Sequence, residues 1–239
     1  MAYFLPAGTS ADAAGQAASV AVLPVGSFEQ HADILPLATD TMVASMIAQR
    51  IAADYDLFLL PPVTIGCSHE HSDFAGTVSV SSATLAAIVN DVRQSLRLRG
   101  VGKLVLVNGH GGNYVLNHSV LEANASGRCM TLFPVREDWD RARKDAGCVS
   151  SAGQDMHAGE LEVSLLLQFD PGLVSEARTE RDHLAHPRPF LLTAGMAEYT
   201  KTGVIGLPSR GTAAKGRAIL DSLSRSFAAH LKMLTGPQR

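Results

Sequence analysis

Four apolar runs alternate along the chain with segments that have helical periodicity. The runs are rich in Val, Leu and Ile and have the length of β-strands; they span residues 19–25, 57–62, 103–107 and 129–135. Nearly continuous apolar strands are typical of a parallel sheet that is covered on both faces. This pattern predicts a layered α/β fold.

Between the runs, apolar residues recur at the three- and four-residue spacing of amphipathic helices. The predicted helices span residues 39–55, 81–99, 114–125, 137–146, 155–169 and 212–234. The alternation predicts a three-layer α/β/α sandwich with a mostly parallel central sheet. We expect residues 19–239 to form a single domain, because no repeat or linker divides them. Residues 1–18, rich in Ala, Gly and Ser, are predicted to be a partly ordered N-terminal arm.

Composition narrows the class of protein. A hydrophobic share of 46% with 18% charged residues in 239 residues is typical of a globular chain with a sizeable core. The net charge is −3 and basic residues do not cluster, so we expect no nucleic-acid partner. No apolar stretch reaches the roughly 18 residues that span a bilayer, so we expect no membrane partner. Cys67, Cys129 and Cys148 form no close pair, which favours a reducing, cytoplasmic location.

The first candidate chemistry follows the first strand, in residues 23–40. Glu29 and His31 are two positions apart, so in an extended segment they point the same way while Gln30 faces away. Asp40 follows nine residues later and is also a candidate N-cap of the next helix. Two carboxylates and an imidazole suit a divalent transition-metal ion.

Two further polar segments adjoin predicted strands. Residues 66–77 form a loop that contains His69, Glu70, His71 and Asp73, either a solvated loop or a backbone constrained by its glycines. Residues 108–113 place His110 among three glycines directly after a strand. Ligands gather at the carboxyl ends of strands in such sheets, although a turn that needs glycine is the simpler alternative.

A fourth segment opens the helix predicted over residues 155–169. His157 and Glu160 are three apart and share one helical face, whereas Glu162 lies on a different side. An acidic helix start favoured by the macrodipole explains the carboxylates but not the imidazole. Together the four segments hold enough ligands for two metal ions that activate water and polarise a carbonyl, with a His or Glu delivering a proton to the departing nitrogen. A Ser or Cys nucleophile is less persuasive, because no Gly-x-Ser-x-Gly elbow is present.

Four stretches in this order resemble the creatininase (creatinine amidohydrolase) family. They are residues 24–31 (PVGSFEQH) with 35–40 (LPLATD), 66–77 (GCSHEHSDFAGT), 108–113 (NGHGGN) and 156–164 (MHAGELEVS). The resemblance implies a three-layer α/β/α fold, a binuclear metal centre, hydrolysis of an amide or cyclic amide, and a homo-oligomer, commonly a hexamer.

The resemblance also implies roles for individual residues. Metal ligands are expected at Glu29 and His110 for one ion, at His31 for the other, at Asp40 as the bridge, and at Glu160 as the fifth ligand. Catalytic roles are expected for His157, as the proton donor to the leaving nitrogen, and for Glu160. The substrate pocket is expected to include Glu70, His71, Gly111, Gly112 and Asn113. Two divalent metal ions per subunit are implied. We expect zinc, with manganese or iron as alternatives.

Several positions depart from the family pattern. Gly112 stands where creatininase itself has a glutamate, and Ala32 and Ile34 replace the usual Gly and His. The expected function is therefore a metal-dependent amidohydrolase acting on a small cyclic or linear amide other than creatinine. The alternatives are a creatininase-like peptidase or formamide deformylase in a biosynthetic or cofactor-maturation pathway and, from another class, a metal-stabilised binding or assembly protein with little activity.

Overall fold

A parallel β-sheet forms the centre of the computed structural model, which describes residues 4–237. Within these residues the strands are β1 (Val20–Val25), β2 (Phe58–Leu59), β3 (Lys103–Asn108) and β4 (Met130–Phe133), in the spatial order β2-β1-β3-β4. All neighbouring pairs are parallel. Val25 at the end of β1 pairs with Asn108 at the end of β3, so the loops that follow these two strands emerge side by side.

Helices cover both faces of the sheet. They are α1 (Ser10–Gln16), α2 (Thr39–Tyr55), α3 (Ser82–Leu98), α4 (Val115–Ala123), α5 (Arg136–Asp145), α6 (Glu160–Phe169), α7 (Leu191–Ala194) and α8 (Ala213–Thr235). Short 3-10 turns occur at His69–His71, Asn124–Ser126, Pro171–Leu173, Glu176–Glu180, Met196–Glu198 and Pro208–Arg210.

The side chains of strand β1 pack into two hydrophobic cores, one on each face of the sheet. Its side chains alternate between the faces: Val20 and Val22 pack with residues of α2, α5, α6 and α8, whereas Ala21 and Leu23 pack with residues of α3 and α4. All six residues of the strand are buried. The predicted three-layer α/β/α fold with a parallel central sheet is confirmed.

One helix of the structure was not predicted from the sequence, and another begins later than predicted. Residues 10–16 of the predicted arm form helix α1, which begins with a capping box between Thr9 and Asp12. Helix α6 begins at Glu160, five residues later than predicted, because Ala158 has a positive φ of 53° and interrupts the helical backbone. Residues 1–3 of the predicted arm and 238–239 of the predicted domain lie outside the described residues, and the division at residue 18 stays a prediction.

Candidate metal centre

The carboxyl ends of β1 and β3 bring the first acidic and imidazole groups together. Glu29 and His31 follow β1, and His110 follows β3. Asp40 lies in the first turn of α2 and is 1% exposed. Because β1 and β3 are neighbours in register, residues far apart in the sequence meet at one edge of the sheet.

Two groups of donor atoms share the carboxylate of Asp40. In the first, His110 Nδ1 lies 3.2 Å from both Glu29 Oε2 and Asp40 Oδ2. In the second, His31 Nε2 lies 3.4 Å from Asp40 Oδ1 and 3.9 Å from Glu162 Oε2. The donor atoms of each group lie within 4.8 Å of one another. A carboxylate that offers one oxygen to each group has the geometry of a bridging ligand.

A third group overlaps the first two. It consists of Glu29, His31 and His157, whose donor atoms also lie within 4.8 Å of one another. His157 Nδ1 is 3.6 Å from Glu29 Oε1, the oxygen that faces away from His110. Glu29 thus directs its two oxygens into two different groups.

Unpaired buried atoms test whether these residues fit a metal ion. Within residues 4–237, both Glu29 oxygens, His31 Nε2 and Asp40 Oδ2 are buried and have no hydrogen-bond partner. Leaving a buried polar atom unpaired costs about 1–3 kcal/mol, and more for a charged group. Carboxylate oxygens and imidazole nitrogens are good ligands for divalent transition-metal ions, so the donor set fits such ions.

Backbone carbonyls fix which nitrogen of three imidazoles faces this centre. A carbonyl oxygen only accepts hydrogen bonds, so His31 Nδ1–H donates to Glu29 O at 3.0 Å and His110 Nε2–H donates to Cys67 O at 3.0 Å. His157 Nε2–H donates to Gln30 O at 2.6 Å. Each ring therefore turns its other nitrogen towards the carboxylates, where a metal ion would take the place of a proton, which is how metal-binding histidines are held.

The predicted ligand Glu160 does not reach this centre, and that expectation is corrected. Its carboxylate accepts hydrogen bonds from the Val149 and Ser150 amides and from the Ser150 hydroxyl, and it pairs with Lys215 Nζ at 2.5 Å. These contacts tie the loop before α6 to the start of α8. The catalytic role expected for Glu160 is corrected for the same reason.

Glu162 takes the place that sequence reasoning gave to Glu160. Its Oε2 accepts a hydrogen bond from the Ala158 amide at 2.6 Å and faces His31. The sequence-based argument assumed that one continuous helix contains His157 and Glu160. Instead, His157 lies in an extended segment that pairs with Ile205, and α6 starts after it, so helical spacing does not relate the two residues.

Burial and neighbouring charges shift the pKa values of the imidazoles in opposite directions. Burial, reinforced by His110 and His31, lowers the pKa of His71 to about 3. Burial and the neighbouring His31 likewise lower the pKa of His157 well below its usual value. Burial acts on His31 in the same sense, but the carboxylates of Asp40 and Glu162 outweigh it and raise its pKa to about 9. Positive charge is thus favoured at His31, between the carboxylates, and disfavoured at His71 and His157.

A cavity of about 210 Å³ adjoins the donor atoms. Its lining includes the predicted pocket residues Glu70, His71, Gly111 and Gly112. The predicted pocket residue Asn113 does not line it, which corrects that expectation. Asn113 is buried under the site, where its side chain accepts from the Cys67 amide at 2.8 Å and donates to Gly26 O at 3.1 Å.

The small cavity shares walls with a larger one. A second cavity of about 740 Å³ has six lining residues in common with the small one: Gly109, His110, Gly111, Tyr114, Met156 and Glu162. Beyond these shared residues it extends towards Trp139, Arg136 and Asp140 on α5. The donor atoms therefore lie at the side of a volume several times larger than the small cavity alone.

Fold and centre together define a three-layer α/β protein whose sheet edge presents buried donor atoms of the kind that bind divalent cations. A family model described as creatinine amidohydrolase matches residues 8–231. The chain belongs to the creatininase family and is an amidohydrolase, an enzyme that hydrolyses carbon–nitrogen bonds, as predicted.

Individual relatives agree with this assignment. The mycofactocin precursor peptide peptidase of Mycobacterium ulcerans is 35% identical over 213 residues, which cover 83% of this chain and 78% of the relative. The creatinine amidohydrolase of Pseudomonas putida is 27% identical over 227 residues, 87% of each chain.

Solved structures share the fold. A creatininase described as a manganese form has a TM-score of 0.79 at 22% identity, covering 94% of this chain and 96% of that one. A mutant creatininase of Zn-Zn type has a TM-score of 0.76 at 24% identity, covering 94% and 93%.

Proposed function

We propose that this chain uses two divalent metal ions to hydrolyse an amide bond of a peptide. Two ions are proposed because the carboxylate of Asp40 offers one oxygen to each donor group. Its Oδ2 lies 3.2 Å from His110 Nδ1, and its Oδ1 lies 3.4 Å from His31 Nε2. Glu29, Asp40 and His110 would hold one ion, and His31, Asp40 and Glu162 the other.

Zinc is the ion that we propose first, with manganese or iron as alternatives. The donor set of carboxylate oxygens and imidazole nitrogens suits all three. Support for zinc and manganese comes from relatives of the same fold, which are described in Zn-Zn and manganese forms.

Bound at these positions, two divalent ions supply a water of lowered pKa and polarise the amide carbonyl. His157 is suited to proton transfer, because its unprotonated Nδ1 faces the centre while Nε2–H is held by Gln30 O. It would take a proton at Nδ1 from the water that attacks the carbonyl carbon and pass it to the departing nitrogen. Its lowered pKa keeps the imidazole neutral before this step and makes its protonated form a ready donor.

The size of the adjoining space supports a peptide as substrate. The cavity of about 740 Å³ shares six lining residues with the small cavity and continues to Trp139 on α5. An apolar ring beside exposed charges suits a peptide side chain and backbone. A relative that is 35% identical carries the name of a peptide peptidase, which supports the same substrate class.

A small cyclic or linear amide is the second candidate substrate. The cavity of about 210 Å³ next to the donor atoms matches a molecule of that size. The creatinine amidohydrolase of Pseudomonas putida, at 27% identity, supports this class. Creatinine itself is disfavoured as the substrate, because Gly112 stands where creatininase itself has a glutamate.

A comparison of substrates tests the proposal. Metal-loaded protein is incubated with short peptides, creatinine, lactams and formamides, and products are identified by mass spectrometry before and after treatment with a chelator. We expect peptides to be cleaved and the cleavage to disappear with the metal. If only lactams or only formamides are hydrolysed, the substrate class is that small amide and not a peptide. Uniform inactivity of fully loaded protein would favour the metal-stabilised binding protein.

Two further expectations remain proposals. The family resemblance implies a homo-oligomer, and light scattering of the purified protein measures the number of chains directly. The cytoplasmic location also stays a prediction. Among residues 4–237 no helix has the length and apolar character needed to cross a membrane.

A further inference from the structure

Gln30 lies between two candidate ligands, with its side chain buried on the side away from the carboxylate cluster. Its Oε1 accepts a hydrogen bond from the Ala32 amide at 2.9 Å. Its Nε2 therefore faces the opposite way, towards Gly203 O at 3.2 Å and His71 Nδ1 at 3.0 Å. Gly203 has a positive φ of 94°, and a side chain there would overlap Gln30 Oε1. The orientation of this amide is thus fixed by backbone contacts alone.

The fixed amide determines where His71 carries its proton. An amide nitrogen only donates, so His71 Nδ1 must accept and is unprotonated. The neutral ring then has its proton on Nε2, which lies 3.2 Å from Glu29 Oε1. His71 consequently presents an N–H group to the centre, unlike His157, which presents an unprotonated nitrogen.

The backbone of the same residue determines the proton position on His157. Gln30 O accepts from His157 Nε2 at 2.6 Å, which leaves His157 Nδ1 as an acceptor 3.6 Å from Glu29 Oε1. The two rings are adjacent, with centroids 4.4 Å apart. One residue therefore holds an N–H group and an unprotonated nitrogen side by side, both directed towards Glu29.

We propose that Gln30 is a positioning residue that keeps the proton of His71 and the proton of His157 both on Nε2, so that His71 presents an N–H group and His157 an unprotonated nitrogen to Glu29. The inference deepens the proposed function and rests on the proposed metal centre for its consequence in catalysis. The proton positions themselves follow from contacts among the chain's own residues.

The consequence is a choice among the overlapping donor groups. The partial positive charge of His71 Nε2–H, 3.2 Å from Glu29 Oε1, disfavours a cation on that side of the carboxylate, whereas Glu29 Oε2 lies 3.2 Å from His110 Nδ1 in the group shared with Asp40. The competing group of Glu29, His31 and His157 lies on the disfavoured side, where His157 Nδ1 is 3.6 Å from Glu29 Oε1. Gln30 thereby leaves His157 Nδ1 available for proton transfer.

The proton positions are measured by ¹⁵N–¹H correlation spectroscopy of the histidine ring nitrogens in full-length protein labelled with ¹⁵N-histidine. We expect His71 and His157 both to be neutral with the proton on Nε2, in the metal-free protein and in the zinc-loaded protein. A proton on His71 Nδ1, or zinc bound to His71 Nε2, would overturn the inference. If zinc does not bind, the metal-free spectrum still decides it, so failure of the proposed function is distinguished from failure of the inference.

A substitution tests the role of the side chain. In Gln30→Glu, a carboxylate replaces the amide donor, and we expect His71 to gain a proton on Nδ1 while His157, which depends on the backbone carbonyl, is unchanged. Metal affinity, kcat or both should fall about 10–100-fold, which is the usual effect of substituting a residue that orients metal ligands. KM should change much less than kcat. Thr77→Val is the matched control. Thr77 Oγ1 accepts a hydrogen bond from the backbone N–H of Gln30, so its loss leaves the contacts of the Gln30 side chain in place. An unchanged His71 spectrum in Gln30→Glu would contradict the assigned role.

Discussion

The Glu70 carboxylate occupies the space into which a side chain at Gly112 would project. A Cβ atom at this position would overlap Glu70 Oε1 and His110 Nε2, and would lie 2.8 Å from Cys67 O. Glu70 and Gly112 are therefore complementary, and both line the cavity beside the donor atoms. The glutamate that creatininase itself has at the position of Gly112 would have no room here. Glu162 faces His31 from α6 instead.

This relationship predicts that Gly112→Ala weakens metal binding. The added methyl group displaces His110 Nε2 from Cys67 O, so Nδ1 loses its orientation, and metal affinity should fall about 10–100-fold. Gly111→Ala is the control, since among the described residues no atom lies within 4 Å of a Cβ at Gly111. Titration with zinc measures both variants. Equal affinities would show that the packing around Gly112 is not needed.

Asp40→Ala is expected to remove both ions. Asp40 supplies one oxygen to each donor group, so its loss should reduce the metal content from about two ions per chain to well below one. Elemental analysis of dialysed protein gives the content. Asp33→Ala is a suitable control because Asp33 is exposed and pairs with Arg181 at 2.7 Å, outside the centre. A variant at position 40 that retains both ions would refute Asp40 as the bridge.

Substitutions of the two glutamates of α6 should have opposite effects. Glu162→Gln should lower metal content with little change in stability, because its carboxylate faces His31. Glu160→Gln should leave the metal content unchanged but lower the free energy of unfolding by about 2 kcal/mol, because it weakens the contacts with Ser150 and Lys215. Metal analysis and urea unfolding of each variant give both quantities. The reverse pattern would restore Glu160 as the ligand.

A pH-dependent contribution to stability is expected from Asp138. Burial alone raises its pKa, but hydrogen bonds from His230 at 2.8 Å and from the Val135 amide at 3.0 Å outweigh burial and lower the pKa. A lowered pKa in the folded state stabilises the protein above the unfolded pKa of about 3.9, and this stabilisation disappears as the pH falls through the folded pKa.

The corresponding variant is Asp138→Asn. It should lower the free energy of unfolding by about 1–2 kcal/mol at pH 7, and the difference from the parent protein should shrink below about pH 4. Asp140→Asn on the same helix is the control, because Asp140 is exposed and its contact with Arg136 is 3.8 Å long. Urea unfolding from pH 3 to pH 7 measures the profile. A difference that grows towards low pH would contradict the assigned sign.

The sheet was predictable because its strands are buried on both faces. Val20 to Val25 is a continuous apolar run in the sequence and a fully buried strand in the structure. The short edge strand β2 was overestimated, since only Phe58 and Leu59 of the predicted residues 57–62 pair with β1. Helix α1 was missed, although Thr9 and Asp12 have the spacing of a capping box.

The site was predictable only where position along a strand determines direction. Glu29 and His31 meet because alternate residues of an extended segment point the same way, and His110 joins them because β3 lies beside β1. Glu162 was not predictable from periodicity, because the positive φ of Ala158 moves the start of α6 to Glu160. Gln30 was expected to face away, and its contact with His71 depends on a loop that the sequence pattern does not position.

The donor atoms come from segments that an unfolded chain keeps far apart, with Glu29 after β1, His110 after β3 and Glu162 on α6. A partly folded chain does not assemble them, so ions that bind here bind the folded state. Each tenfold rise in free ion concentration above the dissociation constant then adds about 1.4 kcal/mol per site to the free energy of unfolding. If the proposed metal centre is present, the thermal stability of this protein therefore depends on the free metal concentration as well as on the chain.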